Sequence, residues 1–121
     1  MNKETNSIDA KSYAATIAIQ MRKGYLAYCL LQICHETMYT SDIIKALRGA
    51  ELVAVEGTIY PLLSRLQKDG LLEHEWQESK LGAPRKYYKI TNYGRDVHDN
   101  ISHSINTLNE TIGKLKGGNQ S

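Results

Sequence analysis

The stretch VEGTIYPLLSRLQKDGLLEHEW, residues 55–76, contains a helix whose two faces differ in chemistry. Gly70 is a typical residue just past a helix end. Pro61 sets the start near residues 56–58, because proline costs little only within the first helical turn. Four apolar side chains recur at the spacing of one buried face: Ile59, Leu62, Leu63 and Leu66. The sequence therefore predicts an amphipathic helix from about residue 57 to residue 69.

The face of this helix opposite the leucines is polar and basic. Hydroxyl, amide and cationic side chains donate to phosphates and base edges, and a helix N-terminus with little bulk can enter a major groove. The helix dipole also favours phosphate at that end. An ordinary solvated surface is the alternative for this face. At about 100° per residue the face holds Gly57, Pro61, Ser64 and Lys68, flanked by Thr58, Arg65, Tyr60 and Gln67.

Two alternating runs, LLEHEW and RKYYKI, follow the helix and predict a β-hairpin. Residues 77–84 between them are the predicted tip. Leu72, His74 and Trp76 share one face of the first strand, and Lys86, Tyr88 and Ile90 one face of the second. Tyr88 is expected in the core. The cations Lys80, Arg85, Lys86 and Lys89 are typical of a wing on a phosphate backbone. The acids Glu73, Glu75 and Glu78 are expected to lie laterally, partly paired with bases opposite.

Three further helices are predicted from periodicity. Ile8 to about Cys34 forms one long helix or two helices joined at Gly24, and a short helix capped by Thr40 or Ser41 runs through Arg48. The last helix covers residues 91–115. Cys29 and Cys34 lie five apart on a helix, beyond disulfide reach, which predicts buried thiols, with redox sensing as the alternative.

Length and composition place the chain among small globular proteins. Its 121 residues and 13.6 kDa allow one core, and the net charge is only +2. We predict a mainly α (α+β) single domain, with residues 8–90 forming an N-terminal helix plus a winged helix-turn-helix and residues 91–115 a C-terminal helix. Residues 1–7 and the tail 116–121 are expected to be disordered. The N-terminus resembles no secretory signal and no run spans a bilayer, so a cytoplasmic protein is expected.

The C-terminal helix carries an apolar seam at steps of four and three residues, the pattern of helices packed against each other. Packing of this seam on the same protomer is the alternative to packing on a second subunit. We predict a homodimer held by Ile101, Ile105, Leu108, Ile112 and Leu115.

Enzymatic chemistry has no visible site in the sequence. It contains no Gly-rich phosphate loop and no G-x-S-x-G elbow. His98 and His103 diverge on the helical wheel, which disfavours a shared metal ion. We therefore expect neither a catalytic site nor a cofactor or metal.

Residues 20–115 resemble the PadR family of transcriptional regulators, in its subgroup with a short C-terminal helix. The similarity lies in GTIYP at 57–61, DGL at 69–71, WQES at 76–79 and GAPRKYY at 82–88, preceded by MRKGYLAYCLL and YTSDIIKAL. The resemblance implies a homodimeric winged-helix repressor that binds an inverted-repeat DNA operator and is released by a small-molecule effector or stress signal. The DNA-binding positions it implies are Ser41, Lys45, Thr58, Tyr60, Pro61, Ser64, Arg65, Lys68, Arg85, Lys86 and Tyr87.

Two further expectations accompany this resemblance. Tyr93 is the only aromatic residue of the C-terminal helix, so broad recognition of flat aromatic drugs is not expected. Residues 92–94, ending at Gly94, are the predicted hinge between wing and C-terminal helix. The alternative function is a winged-helix module for protein–protein contacts, whose recognition face would be apolar or acidic.

Overall fold

The computed structural model describes residues 9–50 and 56–117 as four helices and a small antiparallel sheet. The predicted mainly α winged helix-turn-helix is confirmed. Of the ends predicted to be disordered, residues 1–7 and 118–121 lie outside the described residues, whereas Lys116 and Gly117 are helical, so the prediction is wrong for these two. In chain order the elements are α1 Ala10–Ile33, β1 Met38–Tyr39, α2 Thr40–Gly49, α3 Glu56–Lys68, β2 Leu72–Ser79, β3 Gly82–Ile90 and α4 Asn92–Gly117.

The first helix is continuous, so the single-helix alternative is confirmed and the join at Gly24 is wrong. Gly24 is exposed and has open space around it, and a glycine inside a long helix weakens it without breaking it. The helix begins after Asp9, whose carboxylate accepts a hydrogen bond from the Ser12 N–H at 2.7 Å. That hydrogen bond lowers the pKa of Asp9, because it stabilises the ionised carboxylate.

A third strand, β1, joins the predicted two-stranded hairpin, giving the order β1-β3-β2. Met38 pairs with Tyr88, and Tyr39 pairs with Tyr87. The predicted caps of α2 are wrong, because Tyr39 precedes the helix and offers no side-chain cap. Thr40 instead donates its hydroxyl to the Lys86 carbonyl at 3.0 Å. The start of α2 is thereby attached to the second wing strand.

The hairpin is longer than predicted, and its tip is only Lys80 and Leu81, so the eight-residue tip is wrong. Backbone pairing continues through polar residues because an exposed hairpin needs no apolar side chains to form its ladder. Gly82, with φ of 149°, and a hydrogen bond at 3.2 Å from the Leu81 N–H to the Ser79 hydroxyl shape the turn. The predicted faces are confirmed, since Leu72, His74 and Trp76 stand opposite Ile90, Tyr88 and Lys86.

The hydrophobic core lies where the C-terminal half of α1, α2 and α3 meet the sheet. Tyr88 belongs to it, as predicted. Pro61 lies deeper in α3 than the first-turn argument assumes, because the helix already begins at Glu56. The largest fully buried side chains are Leu30, Leu31, Cys34, Ile43, Ile59, Leu63 and Leu72.

The start of α4 is anchored to the connection between α3 and β2. Thr91 donates its hydroxyl to the Gly70 carbonyl at 2.6 Å and its backbone N–H to the Leu71 carbonyl at 3.0 Å. The Gly94 N–H in turn donates to the Thr91 hydroxyl at 2.9 Å. Gly94 is buried, and a Cβ there would fall on the Leu71 carbonyl oxygen. Residues 92–94, the predicted hinge, form the closely packed first turn of α4, and the hinge itself stays a prediction.

Farther along, α4 packs against α1 through polar side chains. The Tyr28 and Ser102 hydroxyls are 2.6 Å apart, and the buried His98 donates from Nε2 to the Gln32 amide oxygen at 2.6 Å. The His98 ring also stacks on Tyr28, with centroids 4.7 Å apart. The two helices are antiparallel, since residue numbers rise on one as they fall on the other. The helix continues to Gly117, past the predicted end at residue 115.

Candidate nucleic-acid interface

The predicted recognition face of α3 points to solvent. Its apolar stripe is buried at Ile59, Leu63 and Leu66, because these side chains fill the core beneath the helix. The six predicted DNA-binding residues on the outer face are all exposed: Thr58, Tyr60, Pro61, Ser64, Arg65 and Lys68. The helix therefore presents hydroxyls and cations without an apolar or acidic patch among them.

A groove of about 400 Å³ separates this face from the wing and the start of α2. It brings together five of the predicted residues, namely Ser41, Tyr60, Ser64, Arg85 and Lys86. The other predicted residues do not line it: Lys45, Thr58, Pro61, Arg65, Lys68 and Tyr87. The groove also contains residues that were not predicted, which are Tyr39, Thr40, Trp76, Pro84 and Tyr88.

Two predicted cations beside the groove have acidic neighbours. The Lys45 ammonium is 4.0 Å from the Asp42 carboxylate, and the Arg65 Nε is 3.9 Å from the Asp69 carboxylate. All four side chains are more than half exposed, so each pair contributes at most about 1 kcal/mol. Such weak pairs leave Lys45 and Arg65 able to exchange a carboxylate for a phosphate.

The cations of the second wing strand occupy both faces of the hairpin. Lys86 lies on the face of Trp76 and Tyr88, with its Nζ 5.8 Å and 5.1 Å from their ring centroids. Arg85 projects from the opposite face of the strand, because successive side chains alternate. Its guanidinium carbon is 4.8 Å from the Tyr39 ring centroid. Both residues line the groove, but only Lys86 lies on the sheet face that carries the core residues Tyr88 and Ile90.

Two acidic residues of β2, Glu73 and Glu75, lie away from that face. Glu73 stands opposite Lys89 and Glu75 opposite Tyr87, on the sheet face of Arg85. The expected ion pairs are wrong: no salt bridge within 4.0 Å joins these acids, or Glu78, to a base in residues 9–50 and 56–117. The register nevertheless directs Glu73 and Glu75 away from the face that carries Lys86. Acidic side chains on that face would repel DNA.

Trp76 and Tyr39 are the most informative groove residues outside the predicted set. Trp76 had a signal in the sequence, because its alternation with Leu72 and His74 puts all three on one hairpin face, the face that also carries its cross-strand partner Lys86. Tyr39 had none, since its place depends on a two-residue strand that pairs with a distant part of the chain. Long-range pairing thus completed the groove in a way that local periodicity does not encode.

Neither cysteine has the environment of a redox sensor. Both are free, with Cys34 buried and Cys29 half-buried. Burial raises the pKa of Cys34 to about 12 and also raises the pKa of Cys29. A reactive cysteine needs a lowered pKa and access to solvent. The prediction of buried thiols agrees with these environments.

The fold and the groove together define a winged helix-turn-helix protein with a polar, basic helix face beside a cationic wing. A family model described as "Transcriptional regulator PadR-like family" matches residues 30–100. The chain belongs to this family. It is accordingly a DNA-binding transcriptional regulator and not an enzyme.

Three solved structures of bacterial proteins are similar to this chain in fold and sequence. A PadR-like transcription factor from Bacteroides fragilis is 48% identical, with 83% of this chain and 98% of that chain covered and a TM-score of 0.72. A PadR-like regulator from Bacillus cereus is 37% identical, with 79% and 95% covered and a TM-score of 0.69. A PadR family regulator from Eggerthella lenta is 30% identical, with 87% and 93% covered and a TM-score of 0.79.

A comparison with curated proteins found no match to this chain. Over the described residues, no helix is both long and apolar enough to cross a membrane. In the same part of the chain, no cluster of histidine, cysteine and acidic side chains could hold a metal ion.

Proposed function

We propose that the protein is a homodimeric repressor that binds an inverted-repeat operator and leaves it when a small-molecule ligand or stress signal arrives. The observation that carries this proposal is the groove in which the α3 face, the start of α2 and Lys86 of the wing meet. A helix face for base edges and a cation for the phosphate backbone thereby share one surface.

Exposed apolar side chains on α4 support the proposal that a second subunit packs against this helix. Ile101 packs on the core of its own protomer, so that part of the predicted seam has an internal partner. Farther along, Leu108, Ile112 and Leu115 are 56%, 39% and 76% exposed, and Ile105 is half-buried. An apolar stripe of this length on a small protein is typical of a protein interface.

The first helix extends this apolar surface. Tyr13, Ile17 and Met21, in its N-terminal half, are 61%, 50% and 62% exposed. Because α1 and α4 are antiparallel where they touch, the N-terminal half of α1 and the C-terminal half of α4 lie at the same end of the pair. One second copy of the chain, related by a two-fold axis, would cover both helices.

Such a dimer matches a palindromic site. A two-fold axis would place two α3 helices about 34 Å apart, one turn of DNA. An effector that binds between the subunits would release the DNA by stabilising a dimer with a different spacing. An effector site between the subunits is consistent with the anchored start of α4, because α4 connects the wing of each protomer to the proposed dimer interface.

The test of DNA binding compares two lysines on opposite faces of the same strand. Lys86→Ala should weaken binding to duplex DNA and lower the slope of log affinity against log salt by about 0.9 per lost phosphate contact. Lys89→Ala is the control, because Lys89 lies on the other face of the strand from Lys86 and does not line the groove. Changes at Ser64 should instead alter preference between sequences.

Two outcomes would contradict the proposed function. A wild-type protein that binds no duplex at low salt, while its groove captures a protein partner, would favour the protein–protein module. Equal losses for the two lysine variants would show that the groove does not face the DNA. Footprinting on the DNA upstream of the protein's own gene then tests for an inverted repeat.

A further inference from the structure

Trp76 occupies an unusual position for a tryptophan. It is 62% exposed, although the fold buries other members of its sheet face, such as Leu72 and Tyr88. A tryptophan side chain has a large apolar surface, and most folds cover it. Here the side chain lines the groove between the wing and α3 instead of the core.

The surroundings of Trp76 point to a ligand with negative charge. Lys86, directly opposite on β3, holds its ammonium 5.8 Å from the indole ring and 5.1 Å from the Tyr88 ring. The electron-rich faces of the two rings attract this cation and restrict its position. The indole N–H makes no hydrogen bond to any residue within 9–50 and 56–117. The indole ring of Trp76 thus positions the Lys86 ammonium and also carries an N–H donor that has no partner among the described residues.

We infer that Trp76 contacts DNA: its indole N–H donates to a backbone phosphate, and its ring positions Lys86 for the same strand. This inference rests on the proposed DNA binding through the groove and adds a residue that periodicity did not select. Phosphate oxygens accept hydrogen bonds from any donor on the protein surface, so the contact would set the position of the wing, not its sequence preference.

Trp76 is the only tryptophan in the chain, so its own fluorescence reports on the contact. The probe is a mixed-sequence duplex of about 30 base pairs at about 50 mM salt, because phosphate contacts need no operator. We expect acrylamide to quench the free protein strongly and the DNA-bound protein several-fold less. Emission and quenching that do not change when DNA binds would overturn the inference.

Two substitutions separate the roles of ring and donor. Trp76→Phe keeps an aromatic face for Lys86 and loses the N–H, so we expect affinity to fall about threefold with an unchanged salt slope. Trp76→Leu loses both, so affinity should fall about tenfold and the salt slope should decrease as it does in Lys86→Ala. In the double variant of Trp76→Leu and Lys86→Ala, the two losses should not add, since both act on one phosphate contact.

Tyr93→Leu is the matched control, because Tyr93 is 59% exposed but lies on α4 outside the groove. It should leave affinity and salt slope unchanged, and circular dichroism checks that every variant folds. A wild-type protein that binds no duplex would refute the proposed function itself. A wild-type protein that binds, together with a Trp76→Leu variant of unchanged affinity and slope, would refute only the role of Trp76.

Discussion

Replacement of Gly94 by alanine should destabilise the fold, although glycine to alanine usually stabilises a helix. A Cβ at residue 94 would fall on the Leu71 carbonyl oxygen and lie 2.7 Å from Ile90 Cγ1. The Leu71 carbonyl is backbone; it accepts a hydrogen bond from the Thr91 N–H at 3.0 Å and shares the Thr91 hydroxyl proton, at 3.2 Å, with the Gly70 carbonyl. It therefore cannot move away without weakening the anchor of α4.

The magnitude follows from three opposing contributions. Overpacking of a buried site costs about 1–3 kcal/mol, and weakening of the two hydrogen bonds adds about 1–2 kcal/mol. The better helix propensity of alanine offsets up to about 1 kcal/mol. We expect Gly94→Ala to lower the free energy of unfolding by about 1–4 kcal/mol, a large part of the stability of a small domain.

Gly113→Ala on the same helix is the control, because no heavy atom lies within 4 Å of a Cβ built there. It should raise the free energy of unfolding by about 0.5–1 kcal/mol. Urea unfolding followed by circular dichroism, at one fixed protein concentration, measures both variants. Equal stability changes in the two variants, or a Gly94→Ala variant as stable as wild type, would refute the close approach as the reason for glycine.

Two further predictions concern a buried thiol and the dimer. Burial raises the pKa of Cys34 from 9.0 to about 12. The unfolded chain therefore loses this proton first, and stability, full below about pH 9, should fall by about 2 kcal/mol at about pH 10.5. Urea titrations across pH should show a smaller alkaline loss in Cys34→Ala, and an identical loss would contradict the assignment. Ile105→Asp combined with Leu108→Asp should give monomers in light scattering, because unpaired carboxylates in an apolar interface are costly. The pair Asn106→Asp and Asn109→Asp, which adds the same charge at exposed polar positions, should remain dimeric; a dimer that survives the first pair would place the interface on α1 alone.

Periodicity predicts well those elements that have one apolar and one polar face, because neighbouring residues in the sequence define both faces. The apolar stripe of α3 at Ile59 and Leu63 is buried because its spacing matches one helical face. The alternation of Leu72, His74 and Trp76 likewise matches one face of the wing, and their cross-strand partners are the expected ones. In both cases the information lies within a few residues, so neighbouring positions alone are enough to recover it.

Features that join distant segments could not be predicted in this way. Strand β1 is two residues long and exists only because Met38 and Tyr39 reach the edge of β3. The Thr40 hydroxyl, predicted as a helix cap, bonds to Lys86 across 46 positions of sequence. Gly94 was predicted to be flexible, but it is glycine because the Leu71 backbone approaches too closely for a side chain. Each of these depends on tertiary contacts that periodicity does not contain.

These long-range contacts change the expected mechanism of DNA release. Thr40 attaches the start of α2 to the wing, and Thr91 attaches the base of α4 to the carbonyls of Gly70 and Leu71, between α3 and β2. Hydrogen bonds therefore connect the wing to the start of α2 and the base of α4 to the segment that follows the recognition helix. In the proposed dimer, an effector would act by changing how the two subunits are oriented, and a preference of about 3 kcal/mol for a mismatched dimer would lower operator occupancy about a hundredfold. If so, substitutions at the subunit surface near Leu108 should change the response to effector, whereas substitutions at Gly94 should change stability first.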